Sequence, residues 1–304
     1  SAGAKVILFP TNLQSDCVSL EGLEDYITPK TKMLGFCNPH NPMGMLYKKE
    51  DLDYLLRLSE KYGFYIMNDE IWSDMIYPEA HFNSLLEFGP ERNKRTLTVY
   101  GFSKTFGVAG LRIGCVYATN QENYDKLVEA SMVDSTIGGI NLLSQVAGIA
   151  CLEKGFYRVD QFVQQITENR DYALQRIAAM PGIKCHKPQA TFVIFPDITE
   201  TGMDPVELVE LLKTKYKLAI VPGGERFFGP GSEGHVRICL AIQHTDDYAE
   251  NIFSYVNNIP TAEGGTHEMG FKAGFTRALN DYARKVGALK EKDNNLMGED
   301  YREG

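Results

Sequence analysis

Short apolar runs alternate with amphipathic stretches from the start of this chain to about residue 118, and that alternation leaves few folds open. Lys5–Phe9, Met33–Cys37, Phe64–Asn68, Thr96–Tyr100 and Ile113–Ala118 have strand length and strand composition. Between them, Leu20–Ile27 has the pattern of a short helix and Lys48–Tyr62 that of an amphipathic one. Strands that take turns with helices are expected to pair in parallel, with helices covering both faces of the sheet. From Glu122 to Ala179 the pattern is mostly helical. Phe192–Phe195, a helix over Pro205–Tyr216, Leu218–Val221 and a strand over Val236–Ala241 then predict a smaller α+β domain. A length of 304 residues accommodates about two such domains.

In a sheet of this kind, ligands bind beyond the carboxyl ends of the parallel strands. Three polar groups fall at such ends. Asn38-Pro39-His40-Asn41-Pro42-Met43-Gly44 follows the run ending at Cys37, Asn68-Asp69-Glu70 ends the next, and Gly101–Lys104 follows Tyr100. Charge and composition narrow the chemistry. A net charge of -9 argues against a general nucleic-acid or anionic-membrane surface. No apolar run has the length of a membrane span, and no signal peptide is visible. The six cysteines show no CxxC spacing, so reduced, buried thiols, a cytoplasmic setting and no metal site are expected.

Lys104 stands in the frame Gly101-Phe102-Ser103-Lys104-Thr105-Phe106-Gly107-Val108-Ala109-Gly110-Leu111-Arg112-Ile113-Gly114. An amine behind a small-residue turn, with a guanidinium eight residues on, suits covalent chemistry on a carbonyl cofactor that carries a phosphate. A pyridine aldehyde needs an amine, an anion facing the ring nitrogen, a donor to the ring hydroxyl and a phosphate cradle. Lys104, Asp69, Asn41, and Arg112 with Ser103 can supply these in turn.

With those residues in place, the chain resembles the fold-type I pyridoxal-phosphate enzymes, and among them the class I/II aminotransferases. Gly101–Gly114 is similar to that family's lysine signature, and Asn38–Gly44 to its Asn-Pro-x-Asn-Pro-x-Gly turn. Val221-Pro222-Gly223-Gly224 with Phe228-Gly229 resembles its cofactor-side loop, and His235–Ala241 the strand whose arginine grips the substrate carboxylate. The resemblance implies an α/β fold with a three-layer, mostly parallel sheet as an incomplete large domain (1–155) and a smaller α+β domain (156–241). It implies a Schiff base from Lys104 to pyridoxal 5'-phosphate, held by Asn41, Asp69, Trp72, Ser103 and Arg112. It implies Arg237 on an amino-acid substrate, transamination with a 2-oxo acid, and a homodimer.

Two departures matter. Trp72 stands where many aminotransferases have a tyrosine to the ring hydroxyl, and an indole N–H donates but cannot accept. Gly101 stands where many have a serine to the phosphate. Asp69-Glu70-Ile71-Trp72-Ser73-Asp74 with Lys104-Thr105-Phe106 also resembles the cystathionine β-lyase-like branch, which implies β-elimination at a carbon–sulfur bond as the alternative. Family members carry a Gly/Ser/Thr-rich phosphate turn and a stacking aromatic before the point where this chain opens, so an N-terminally truncated enzyme with weak or no catalysis is expected. Residues 242–304 resemble the transducer region of the ATP-binding subunit of bacterial DNA gyrase or topoisomerase IV, through Ile242–Tyr248, Asn257–His267, Gly270-Phe271-Lys272 and Asn280–Lys285. That tail is expected to be mainly helical, with an amphipathic helix over Glu268–Leu289 and no basic DNA-binding arm. A join of two gene fragments near Ala241 is expected, and the reading of another class is a topoisomerase fragment without catalysis of its own.

Overall fold

The computed structural model describes residues 3–11, 18–135, 139–216, 218–241, 255–256, 259–260, 276–277, 280, 284, 290 and 294–295. The chain divides into two compact units, one of residues 1–209 and 220–241, the other of 210–219 and 242–304.

The first unit is built on a four-stranded sheet in the order β1 (Met33–Cys37), β2 (Tyr65–Asp69), β3 (Thr96–Gly101), β4 (Gly114–Ala118). β1 and β2 pair in parallel with Cys37 opposite Asp69, and β2 and β3 in parallel with Asp69 opposite Val99. The three strands therefore end together, at one edge of the sheet.

Helix α1 (Lys49–Tyr62) is the crossover between β1 and β2. Leu52, Leu55, Leu56 and Ser59 recur at helical spacing and are buried, which gives the helix one face for the sheet. Glu50 and Asp51 lie in its first turn and Lys61 in its last, each opposite in sign to the adjacent end of the helix dipole. Gly63 ends it at φ 73, in the left-handed conformation that favours glycine. Leu52, Leu55 and Leu56 join Phe36, Met43, Met45, Phe64 and Ile66 in the main core.

After the short α2 (Gly89–Arg92), β3 runs into α3 (Phe102–Thr105), a single turn. β4 then returns antiparallel to β3, with Gly101 opposite Gly114. One antiparallel edge strand beside three parallel ones agrees with the mostly parallel expectation. A parallel neighbour needs a crossover of a dozen or more residues, usually a helix, and the link here holds only one α-turn and a 3-10 turn.

Helices α4 (Gln121–Ser131), α5 (Leu142–Lys154) and α6 (Phe156–Ala178) follow, as the helical pattern predicts. β5 (Val193–Ile194), α7 (Pro205–Tyr216), β6 (Val221–Pro222), α8 (Glu225–Phe228) and β7 (Val236–Cys239) come next. They include a second sheet in the order β5-β7-β6, antiparallel throughout.

Several expectations are corrected. Lys5–Phe9 is not a strand: it pairs with no strand among the described residues, and Val6 is 77% exposed. An apolar run becomes a strand only where a neighbour satisfies its backbone groups. Leu20–Ile27 shortens to a 3-10 turn, Leu23–Tyr26. The thiols are not fully buried: Cys37, Cys115, Cys151 and Cys185 are partly exposed and Cys239 is exposed, all of them free. Cys17 lies outside the described residues.

In the second unit β8 (Tyr255–Val256) and β9 (Ile259–Pro260) form an antiparallel pair. Of the helix expected over Glu268–Leu289, Thr276, Arg277, Asn280 and Arg284 are helical; the rest, His267 and most of residues 242–304 lie outside the described residues. No helix among the described residues is long and apolar enough to cross a membrane.

Candidate active site

The three ends of β1, β2 and β3 each deliver one expected residue. Asn38–Gly44 leaves β1 as a tight loop in which Gly44 N–H donates to the His40 carbonyl at 2.6 Å. Both the Asn38–Pro39 and Asn41–Pro42 peptides are cis. The loop is held at its base by Asn38, whose side chain donates to the Asn83 carbonyl at 3.0 Å and accepts from Tyr47 N–H at 3.3 Å. His40, within the loop, is half-buried, and burial followed by the charge of His186 lowers its pKa to about 4. It is a neutral packing group.

Asp69 is the last residue of β2. Its Oδ1 accepts from the Ile71 N–H at 3.0 Å. Burial raises its pKa, and the Ile71 bond opposes that rise only in part. A carboxylate in that state gains by facing a cationic N–H. Its chain neighbours point the other way, into a closed network. Asn68 donates to Glu70 at 2.8 Å and to Thr98 at 3.1 Å, while Glu70 accepts from Ser84 Oγ and Leu85 N–H.

Lys104 lies in α3, at the end of β3. Its Nζ sits 5.3 Å from the Trp72 ring. Burial, and then the nearby Arg237 guanidinium, lower its pKa, with Cys239 opposing. A lysine so placed releases its proton more readily and becomes a nucleophile and base.

Arg237 comes from β7, in the second sheet, and donates from Nη1 to Asn41 Oδ1 at 3.3 Å. Its guanidinium also packs over the Phe228 ring at 5.1 Å. Residues 196 positions apart thus meet directly. Asn41 is exposed, and its side-chain carbonyl accepts the Arg237 bond.

Trp72 is 7% exposed and stacks edge-on against Phe192 at 4.5 Å, in a cluster with Met75, Tyr77, Val159 and Ile166. It acts as a floor beneath Lys104. Ser103 is next to Lys104 in α3. Arg112 is exposed, at φ 51, where it closes the 3-10 turn Ala109–Leu111. Its guanidinium has no ion-pair partner among the described residues. A left-handed arginine is uncommon and marks a turn held by its surroundings. The structure thus brings Lys104, Trp72, Arg237 and Asn41 together and sets Asp69 on the adjacent strand end, while Arg112 makes no ion pair among the described residues. No cluster of metal-ligating side chains occurs among the described residues.

One functional candidate is not legible in the sequence. Asp74 Oδ2 accepts from Tyr100 OH and from Thr105 Oγ1, both at 2.8 Å. The carboxylate stands within Asp69–Asp74, but its partners are distant in sequence and no spacing rule points to them.

These residues fit a pyridine aldehyde with a phosphate. A desolvated amine, a carboxylate raised by burial and an exposed amide lie along one sheet edge, with cations at two places. The family model for aminotransferase class I and II matches residues 1–256. The match passes the boundary expected at Ala241, and the topoisomerase-like resemblance of residues 242–304 finds no support in it. An aspartate aminotransferase from Pyrococcus horikoshii is 32% identical over 80% of this chain. The chain spans 59% of the length of that relative. The crystal structure of an aromatic aminotransferase from the same organism superposes with a TM-score of 0.69 at 28% identity, covering 77% of this chain and 62% of that one. Cystalysin from Treponema denticola, whose structure contains pyridoxal 5'-phosphate, gives a TM-score of 0.69 at 25% identity, over 74% of this chain and 57% of that one.

Proposed function

The chain belongs to the class I and II aminotransferase family, and on that premise we propose that it carries the Lys104 site of a pyridoxal-phosphate-dependent aminotransferase acting on an amino acid and a 2-oxo acid. The observation that carries this reading is the Arg237–Asn41 hydrogen bond beside the depressed Lys104 amine. It joins a carboxylate-binding group, a ring-oxygen donor and a nucleophile from three segments of the chain.

When bound, the cofactor supplies an aldehyde carbon and a protonated ring that withdraws electrons from the substrate's α-carbon. Lys104, kept short of protons by burial and by Arg237, provides the attacking amine and carries the α-proton. Asp69 would hold the proton on the ring nitrogen, and Asn41 would donate its amide to the ring oxygen. Trp72 walls the site below Lys104 and keeps water from the amine. Ser103 and Arg112 take the phosphate. Arg237 pairs with the substrate α-carboxylate, a bidentate contact that its bond to Asn41 orients in advance.

Titration with pyridoxal phosphate tests this. An absorbance band is expected in the unmodified chain and none in Lys104→Ala; a band of equal strength in both would refute the assignment. Arg237→Ala is expected to weaken amino-acid binding by roughly 10- to 100-fold while leaving the cofactor band, because a charge-assisted pair is lost.

A second reading, elimination at a carbon–sulfur bond, uses the same residues and is supported by the resemblance of Asp69–Asp74 with Lys104-Thr105-Phe106 to the cystathionine β-lyase-like branch. Thiol release from a cysteine-type substrate, against transfer of the amino group to a 2-oxo acid, separates the two. A homodimer, a cytoplasmic setting and the domain boundaries at 155/156 and 241/242 belong to the same proposal.

A further inference from the structure

The turn that carries Lys104 has little to hold it in place by itself. α3 is four residues long, and a single helical turn is unstable in isolation. Its N-cap is Gly101, which has no side chain to cap it. Phe102 and Thr105 are buried, which sets the turn's depth but not its rotation about the end of β3.

Two hydroxyl groups flank the lysine. Tyr100 OH, before it, and Thr105 Oγ1, after it, both donate at 2.8 Å to Asp74 Oδ2. Hydrogen bonds to a carboxylate are stronger and more directional than those between neutral groups. Asp74 stands in the turn that continues from β2, two residues after Trp72, whose ring lies 5.3 Å from Lys104 Nζ. That turn is itself fixed, because Met75 is fully buried, its N–H donates to the Trp72 carbonyl, and its carbonyl accepts from Thr191 N–H.

We propose that Asp74 is a positioning residue for Lys104. It gathers the hydroxyls on both sides of the lysine turn onto one oxygen and so fixes the amine against the strand end that bears Asp69. The inference rests on Lys104 being the lysine that reacts with the cofactor. Asp74 ties the segment that carries Asp69 and Trp72 to the lysine turn through two hydroxyl hydrogen bonds. The lysine turn is thus anchored both at the end of β3 and, through Tyr100 and Thr105, on the turn that follows β2.

Two measurements on the full chain test the proposal. The first uses pyridoxal phosphate as the probe, fixes the adduct with borohydride, and counts label on Lys104 against label on all other lysines by peptide mass spectrometry. The second follows amide hydrogen exchange of peptides over residues 101–106, with β1 as the internal reference, and uses no cofactor. Thr105→Val and Asp74→Ala are expected to lower the Lys104 share of label about tenfold and to speed exchange in 101–106 by a similar factor. Thr105→Ser, which restores the hydroxyl, is expected to match the unmodified chain in both. Unchanged exchange in Thr105→Val, equal losses in Thr105→Ser, or an equal rise in β1 would each overturn the proposal. If the unmodified chain takes no label at Lys104, the function proposed above fails, and the exchange data still decide whether Asp74 holds the turn.

Discussion

At Lys104 burial and the Arg237 guanidinium act in the same direction, since both disfavour the ammonium, while Cys239 opposes them. The sign follows directly: the amine is neutral at a pH where an ordinary lysine is still charged. Replacing Arg237 by Gln removes the cation and is expected to raise the pH midpoint for acylation of Lys104, read by mass spectrometry across a pH series. A lower midpoint, or none that differs, would show that the guanidinium does not act on the amine. Gly101 offers a second case. A Cβ there would lie 3.3 Å from the Ile71 side chain, so any larger residue has little room here. The positions of Lys104, Asp69 and Asn41 at strand ends were legible in the sequence, because each sits at a fixed place in a short motif. The burial of Trp72 and the bonds to Asp74 were not, because they depend on partners brought in by other elements.

The loop after β1 shows how an element can be determined by one atom. Gly44 has φ +66, and a Cβ on it would meet the Ala190 carbonyl oxygen at 2.6 Å and Pro188 Cβ at 2.7 Å. Its carbonyl also accepts from the N–H groups of Gln189 and Ala190, both at 2.8 Å. Gly44→Ala is expected to destabilise the chain by more than about 1 kcal/mol in denaturant unfolding, since both backbone strain and a steric clash oppose it. A neutral result would mean that the loop can shift away from 188–190. The sequence pattern marked this glycine as part of a turn, and its alternation placed β1, α1, β2 and β3 to within a residue or two. It misplaced Lys5–Phe9, because an apolar run carries no information about whether a partner strand lies beside it. It gave no direction for β4, because alternation alone does not reveal that the lysine turn doubles the chain back.

Across the first unit, one ion cluster ties helix α6 to the loops behind the site. Arg170 is 1% exposed, bonds Glu79 at 2.6 Å and Asp171 at 2.8 Å, and stacks on Tyr77 at 3.9 Å. Lys187 reaches the same Glu79 oxygen at 2.9 Å. Burial pushes the Glu79 carboxyl up, but the bonds from Lys187 and Arg170 outweigh it and bring its pKa down to about 2 from 4.5. A depressed carboxyl contributes stability that is present above the unfolded value and lost as pH falls toward the folded one. Stability is therefore expected to decline between about pH 4.5 and 2 through this group. Asp69 and Glu70, raised by burial, act with the opposite sign, so the comparison with Glu79→Gln isolates the cluster. Melting curves of Glu79→Gln should fall less steeply with acid over that window; the same slope in both chains would remove Glu79 from the account. The sequence by itself determined the α/β class, the order of elements and the residue types at the strand ends, because periodicity and turn chemistry are local and fold with the segment that carries them. The tertiary structure alone decided that Arg237 reaches Asn41, that Trp72 lies under Lys104 and that Asp74 holds the lysine turn, because those contacts form only when segments far apart in the chain are packed against one another.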